Sequence, residues 1–118
     1  MLNLNSIMIG TMKVKEMSEF YSKMFEKKPD MAEEDWAGWK VGGTFLMVGK
    51  HDQMSGMAKD AGRVMFNLET ETVKEEYTRM VAAGAKSVKE PYQMEEAWIA
   101  TLGDPDGNYF QLMSPWKE

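Results

Sequence analysis

At 118 residues the chain is long enough to bury one core but short for a roomy internal ligand cavity, so a sizeable site would need a second copy, and a homodimer is expected. Its 19 acidic against 14 basic residues give a net charge of −5 with no basic run, which excludes the electrostatic footprint of a nucleic-acid binder and points to small molecules or proteins as partners. The absence of cysteine excludes disulfides, thiolate metal sites and cysteine nucleophiles together.

No apolar run approaches the roughly 20 residues that span a bilayer, and Met1 to Asn5 carries neither a charged head nor an apolar stretch of the leader type. A soluble, cytoplasmic protein without membrane partners is the expectation. Methionine is abundant, at 13 residues, while isoleucine and leucine are scarce. Unbranched thioethers fill irregular space but specify packing less sharply than branched chains. The excess reads as a soft core or an engineered chain, with an adaptable ligand pocket as the sharper alternative.

In chain order, residues 2 to 11 alternate weakly and suit a strand. Met17, Phe20, Tyr21, Met24 and Phe25 then recur at helical spacing. Pro29 closes that helix, and short strands are predicted at about 29 to 34, 36 to 42 and 44 to 50. Residues 51 to 62 hold glycines, methionines and mixed charges. They read as a linker, with a lid over a cleft as the functional alternative.

The second half repeats the order. A strand at 63 to 69 leads to a helix opened by Thr72 and Glu75 in capping-box spacing, with Val73, Tyr77, Met80 and Val81 on one face and Gly84 as its C-terminal cap. Strands at about 86 to 92, 96 to 102 and 108 to 114 complete it. At an offset of 57, Ser6-Ile7-Met8-Ile9 falls on Arg63-Val64-Met65-Phe66, and Phe20 falls on Tyr77. This echo supports one α+β domain, 1–118, built from two tandem βαβββ modules at about 1–50 and 63–118, with curled mixed sheets around a cavity.

The final turn is the most demanding local signal. In Leu102-Gly103-Asp104-Pro105-Asp106-Gly107-Asn108-Tyr109-Phe110-Gln111-Leu112, Asp104 can bond back into the turn, Pro105 presets its φ, and Gly107 accepts positive φ. Together with Phe20-Tyr21 on the first helix and Gly84 after the second, this run resembles the vicinal oxygen chelate superfamily of glyoxalases, bleomycin-resistance proteins and extradiol dioxygenases. The resemblance covers nearly the whole chain.

Alternation then sorts side chains between helix and cavity. Ile7, Ile9, Phe45, Met47, Val64, Phe66, Leu68, Phe110 and Leu112 are expected against the helices. Ser6, Met8, Leu46, Val48, Arg63, Met65, Asn67, Tyr109, Gln111 and Met113 are expected to face inward. By the resemblance, the family's metal-ligand positions map onto Ser6, Leu46, Arg63 and Gln111. These groups cannot hold a divalent ion, which wants imidazole or carboxylate donors, so no metal and no cofactor is expected. The lone His51 reads as a solvent-facing loop residue, away from the strands.

An inward Arg63 would need an anionic partner, either a ligand or an internal acid such as Glu69, Glu95 or Glu96. Trp39 and Trp98, on corresponding strands of the two halves, are candidates to stack a planar ligand, with core or interface packing as the alternative, and Trp116 reads as an interface or tail anchor. Glu33-Glu34-Asp35 and Glu95-Glu96 read as solvated turns rather than acid/base pairs. The expectation is thus a metal-independent binder of a planar or anionic small molecule, contacting Ser6, Trp39, Leu46, Arg63, Asn67, Trp98, Tyr109 and Gln111. The alternatives are a divalent-metal-dependent lyase or isomerase of the glyoxalase kind, and an engineered methionine-rich scaffold without ligand.

Overall fold

A computed structural model describes residues 1–115, and Trp116 lies outside the described residues. The chain divides into two compact units, Met1–Gly56 and the remainder from Met57. The expected order of elements is found in both. In the first unit β1 (Ser6–Thr11), α1 (Val14–Phe25), β2 (Met31–Glu33), β3 (Trp36–Val41) and β4 (Thr44–Lys50) follow one another. In the second, β5 (Phe66–Glu69), α2 (Val73–Ala82), β6 (Lys86–Met94), β7 (Ala97–Gly103) and β8 (Tyr109–Met113) do the same.

Each unit forms a four-stranded mixed sheet, ordered β1-β4-β3-β2 in the first and β5-β8-β7-β6 in the second. The strand entering each helix returns in parallel beside the last strand of its module, β1 on β4 and β5 on β8, and the remaining pairs are antiparallel. Among the described residues no helix is long and apolar enough to cross a membrane.

The amphipathic pattern of α1 is the expected one, with Met17, Phe20, Tyr21 and Met24 buried. Tyr21 and Phe25 pack their rings at 6.2 and 5.8 Å from that of Trp39, which is fully buried on β3. In the second unit Val73 and Met80 of α2 are buried, while Val81, expected on the same face, is exposed, and Phe66 stacks on its register partner Phe110 at 5.4 Å.

Both helices close in the same way. Glu26, at φ 56°, and Gly84, at φ 116°, follow the last turns in the left-handed region. In each case the next amide reaches back across the turn, Lys27 N–H to the Ser22 carbonyl at 3.1 Å and Ala85 N–H to the Met80 carbonyl at 2.9 Å. The predicted capping box is not formed. The Thr72 side chain makes no cap bond; its backbone N–H donates instead to Thr70 Oγ1 at 3.1 Å, and the two hydroxyls pair at 3.3 Å. A neighbouring hydroxyl offers the start of α2 a shorter local partner than Glu75 does.

The Asp104 turn forms as predicted. Gly107 N–H donates to the Asp104 carbonyl at 2.9 Å, and Gly107 adopts φ 83°. The Asp104 carboxylate accepts from the backbone N–H groups of Asp106 and Asn108, both at 2.9 Å, and from Asn108 Nδ2 at 3.0 Å. Three donors on one buried carboxylate replace its lost hydration.

The segment between the modules is anchored at both ends rather than hanging free. His51 N–H donates to the Thr11 carbonyl at 3.0 Å in the first unit. In the second, Ala58 N–H donates to the Asp106 carbonyl at 2.8 Å and Tyr109 N–H to Ala61 at 3.3 Å. β5 begins only at Phe66, so Arg63, Val64 and Met65 belong to this segment and not to a strand.

One strand lies in the opposite phase to the expected one. In β4 the cross-strand pairs Trp39↔Leu46 and Ala37↔Val48 put Leu46 and Val48 on the helix side, where they are buried, and turn Phe45 and Met47 to the distal side. The run Phe45-Leu46-Met47-Val48 is apolar throughout, so alternation alone cannot choose its face. Pairing with Trp39 chooses it. Leu46→Ala should therefore cost about 2–5 kcal/mol in urea denaturation, and Met47→Ala less than about 1 kcal/mol. Equal costs would overturn this phase.

Asp30 clasps the loop after α1 to β3. Its Oδ2 accepts from Lys27 Nζ at 2.8 Å and from the Lys40 backbone N–H at 2.6 Å. The Lys27 hydrogen bond first, and the Lys40 N–H second, hold its carboxyl below the usual carboxylate range. A depressed folded-state pKa contributes stability that is present above the unfolded value, about 3.9, and is lost as pH falls through the folded value. Asp30→Asn should remove part of the loss of stability between about pH 5 and pH 2, read from denaturation midpoints. An unchanged acid slope would refute the clasp.

Candidate functional site

The helix on each sheet leaves the other face, the distal face, to be filled by side chains of alternating register. In the second unit one row crosses all four strands. Asn67 on β5 pairs with Gln111 on β8, Gln111 with Thr101 on β7, and Thr101 with Lys89 on β6. Gln111 Nε2 donates to Thr101 Oγ1 at 3.1 Å, and Thr101 is buried. That bond fixes the amide and leaves its Oε1 available as an acceptor. Asn67 is exposed beside it, and Tyr109 and Met113 flank Gln111 on the same face of β8.

Lys89 ends the row. Its Nζ lies 4.9 Å from the Tyr92 ring centroid, a cation–π contact, and the β6–β7 ladder slips register on both sides of it. Lys89 and Thr101 were not among the expected site residues. The repeated slips hide Lys89 from a period-two reading, and nothing in the sequence marks Thr101 as the support of Gln111.

In the first unit the distal face is apolar and sulfur-rich. Met8 pairs with Met47, Met47 with Gly38, and Gly38 with Met31. The Phe45 ring lies across Gly38, where any Cβ would collide with it. Ser6 is exposed on the same face, beside its register partner Phe45, and its hydroxyl donates to Asn5 Oδ1 at 2.9 Å.

The structure thus places Ser6, Asn67, Tyr109 and Gln111 on distal faces as expected and moves the other four. Trp39 and Leu46 belong to the helix-side core, as the β4 phase requires. The Trp39 indole N–H has no hydrogen-bond partner among the described residues, a cost of about 1–3 kcal/mol that its ring packing offsets. Trp98 lies on the helix side as well, in alternation with Ile99 and Thr101. Lys74 of α2 sits over its ring at 4.0 Å. Trp36, three positions before Trp39, takes the opposite face of β3 and, among the described residues, is the tryptophan that reaches the distal side.

Arg63 neither points inward nor pairs with Glu69, Glu95 or Glu96. It bonds Asp60 at 3.4 Å with 76% of its side chain exposed, because the strand it was assigned to starts later. Val64, expected against a helix, is exposed for the same reason. His51 is exposed as expected but does not stand away from the strands. Its Cβ lies 3.2 Å from where a Cβ on Gly10 would be.

The distal positions of β1, β4, β5 and β8 carry a hydroxyl, thioethers, aromatic rings, amides and the single carboxylate of Glu69. Among the described residues no group of three or more His, Asp or Glu side chains converges. This donor set does not fit a hard divalent ion, which takes imidazole or carboxylate ligands.

Comparison with solved structures returns the same architecture. A glyoxalase/bleomycin resistance protein/dioxygenase family enzyme from Burkholderia phytofirmans PsJN is similar at a TM-score of 0.79 and 22% identity, over 96% of this chain and 98% of that one. A glyoxalase-related enzyme from Fulvimarina pelagi is similar at 0.78 and 18% identity, over 98% of this chain and 89% of that one. A glyoxalase/bleomycin resistance protein from Catenulispora acidiphila DSM 44928 gives 0.74 and 18%, over 97% and 100%. No curated protein sequence matches this chain. At these identities the likeness speaks for the fold alone. The glyoxalase-like domain family matches residues 6–113, nearly the entire chain, and the protein belongs to that family within the vicinal oxygen chelate superfamily.

Proposed function

We propose that the protein binds a small planar or anionic molecule, without a divalent metal, on the distal face of its second unit. The observation that carries this reading is the row Asn67–Gln111–Thr101–Lys89. It combines an amide acceptor held in place from below, a second, exposed amide and a cation at one end. A carboxylate on the ligand would accept from Lys89 Nζ, a charge-assisted bond of the stronger kind. The exposed Asn67 amide would donate to or accept from a ring substituent, and Tyr109 and Tyr92 would offer aromatic surface.

Gln111 is fixed by Thr101 and so loses little rotamer freedom when a ligand arrives, which lowers the entropic cost of binding. Lys89 takes the anchoring part expected of Arg63. A homodimer, suggested by the small size of the chain, belongs to the same reading, since a face this shallow gains from a second wall.

Titrating ¹⁵N-labelled protein with a panel of aromatic carboxylates and their neutral amides tests the proposal. The side-chain amide signals of Asn67 and Gln111 should move with the acids more than with the amides. Lys89→Ala should weaken the acids about tenfold, the effect of losing one charge-assisted bond, and leave the neutral compounds little changed. Signals that stay still, or equal binding by Lys89→Ala, would overturn the reading. A stoichiometric divalent metal in the purified protein would replace it with the lyase or isomerase alternative.

A further inference from the structure

The methionine excess is not absorbed by the core. Met8, Met31, Met54 and Met57 are about half exposed, and Met8 lies on the distal face of the first unit beside Met47. In a chain without cysteine, thioethers are the available soft ligands.

Two of these thioethers and the single histidine gather over two bare glycines. Gly10 and Gly49 are register partners on adjacent strands, where backbones run about 4.8 Å apart. Over Gly49 lies Met8, whose Sδ is 3.7 Å from the point a Cβ would occupy, with Trp36 Cβ 3.8 Å from the same point. Over Gly10 lie Met54, its Cγ at 3.1 Å from the corresponding point, and His51, its Cβ at 3.2 Å and ring Cγ at 3.7 Å. A side chain at either glycine would push these groups away.

The loop is held for this approach. His51 N–H is bonded to the Thr11 carbonyl at 3.0 Å, and Met54 N–H to the His51 carbonyl at 2.9 Å, so His51 and Met54 face the sheet from one turn.

From this convergence we propose that Met8, His51 and Met54 form a binding site for a soft monovalent cation, copper(I) or silver(I). Two neutral thioethers and one imidazole suit such an ion and are poor ligands for magnesium or calcium, so the site discriminates by ligand softness. Trp36, whose Cβ shares the space over Gly49 with the end of the Met8 side chain, adds apolar bulk beside the thioether. Asp35, Asp52 and Lys50 line a recess with His51, two carboxylates against one ammonium, so the local charge balance there is negative and lowers the cost of bringing in positive charge. His51 Nδ1 accepts from the Gln53 N–H at 3.3 Å. Coordination through Nε2 would move the ring proton to Nδ1 and give up that long contact, a small loss.

The site is independent of the anion-binding reading, since it uses other residues, another unit and another chemistry.

Silver nitrate titrated into the whole protein, in a chloride-free buffer, tests it by following the methionine ε-methyl signals in ¹³C–¹H spectra. One equivalent should saturate shifts of the Met8 and Met54 methyls and of the His51 ring protons. Met8→Leu, Met54→Leu and His51→Gln should each weaken binding at least tenfold, while Met94→Leu, at an equally exposed thioether elsewhere, should leave it unchanged. All four positions are exposed, so the variants should keep the far-ultraviolet spectrum of the parent. Shifts spread evenly over Met31, Met57 and Met94, or silver affinity indifferent to Met8→Leu and His51→Gln, would overturn the proposal.

Discussion

The packing of one amphipathic helix on one face of each sheet is the constraint from which the rest follows. Because successive side chains on a strand point to opposite faces, covering one face decides the destination of every residue in that strand. In the first unit Tyr21 and Phe25 of α1 meet Trp39 of β3. Trp39 in turn pairs with Leu46, so one ring cluster sets the phase of β4 and sends Phe45 and Met47 to the other side. In the second unit the stacked pair Phe66 and Phe110 does the same for β5 and β8, and thereby presents Asn67 and Gln111 distally.

The two distal faces that result are chemically unlike, although the modules share strand order and helix closure. The first carries thioethers, aromatic rings and backbone laid bare at Gly10, Gly38 and Gly49. The second carries amides, a buried hydroxyl and a lysine. The two modules thus share what packing a helix on the sheet requires and differ on the opposite face, where that packing imposes nothing. Among the described residues neither face assembles the imidazole and carboxylate ligands of a hard metal centre.

Legibility from sequence differed by kind of feature. The Asp104 turn was readable because its residue types act locally. A carboxylate accepting from nearby amides, a proline and a glycine with positive φ need no distant partner. The capping box at Thr72 was equally local yet misled, since Thr70 competes for the same amide. The faces of Leu46 and Trp98 could not be read, because each is an apolar residue between apolar neighbours, and contact with the helices, for Leu46 through its pairing with Trp39, separates the two phases. Arg63 was misplaced because an apolar Val-Met-Phe stretch looks like strand before any ladder has formed to say where pairing starts.

Sequence alone therefore determined the order of elements, the repetition of the βαβββ pattern, the buried face of α1 and the tight turn before the last strand, since periodicity and local hydrogen bonding act over a few residues. Tertiary structure alone decided which side of each strand became a surface and which became core, where β5 begins, and which groups meet. Gln111 on Thr101 and His51 beside Met54 over Gly10 are products of register and chain return. The physical reason is that alternation has two solutions of nearly equal hydrophobicity in these strands, and only long-range packing breaks the tie.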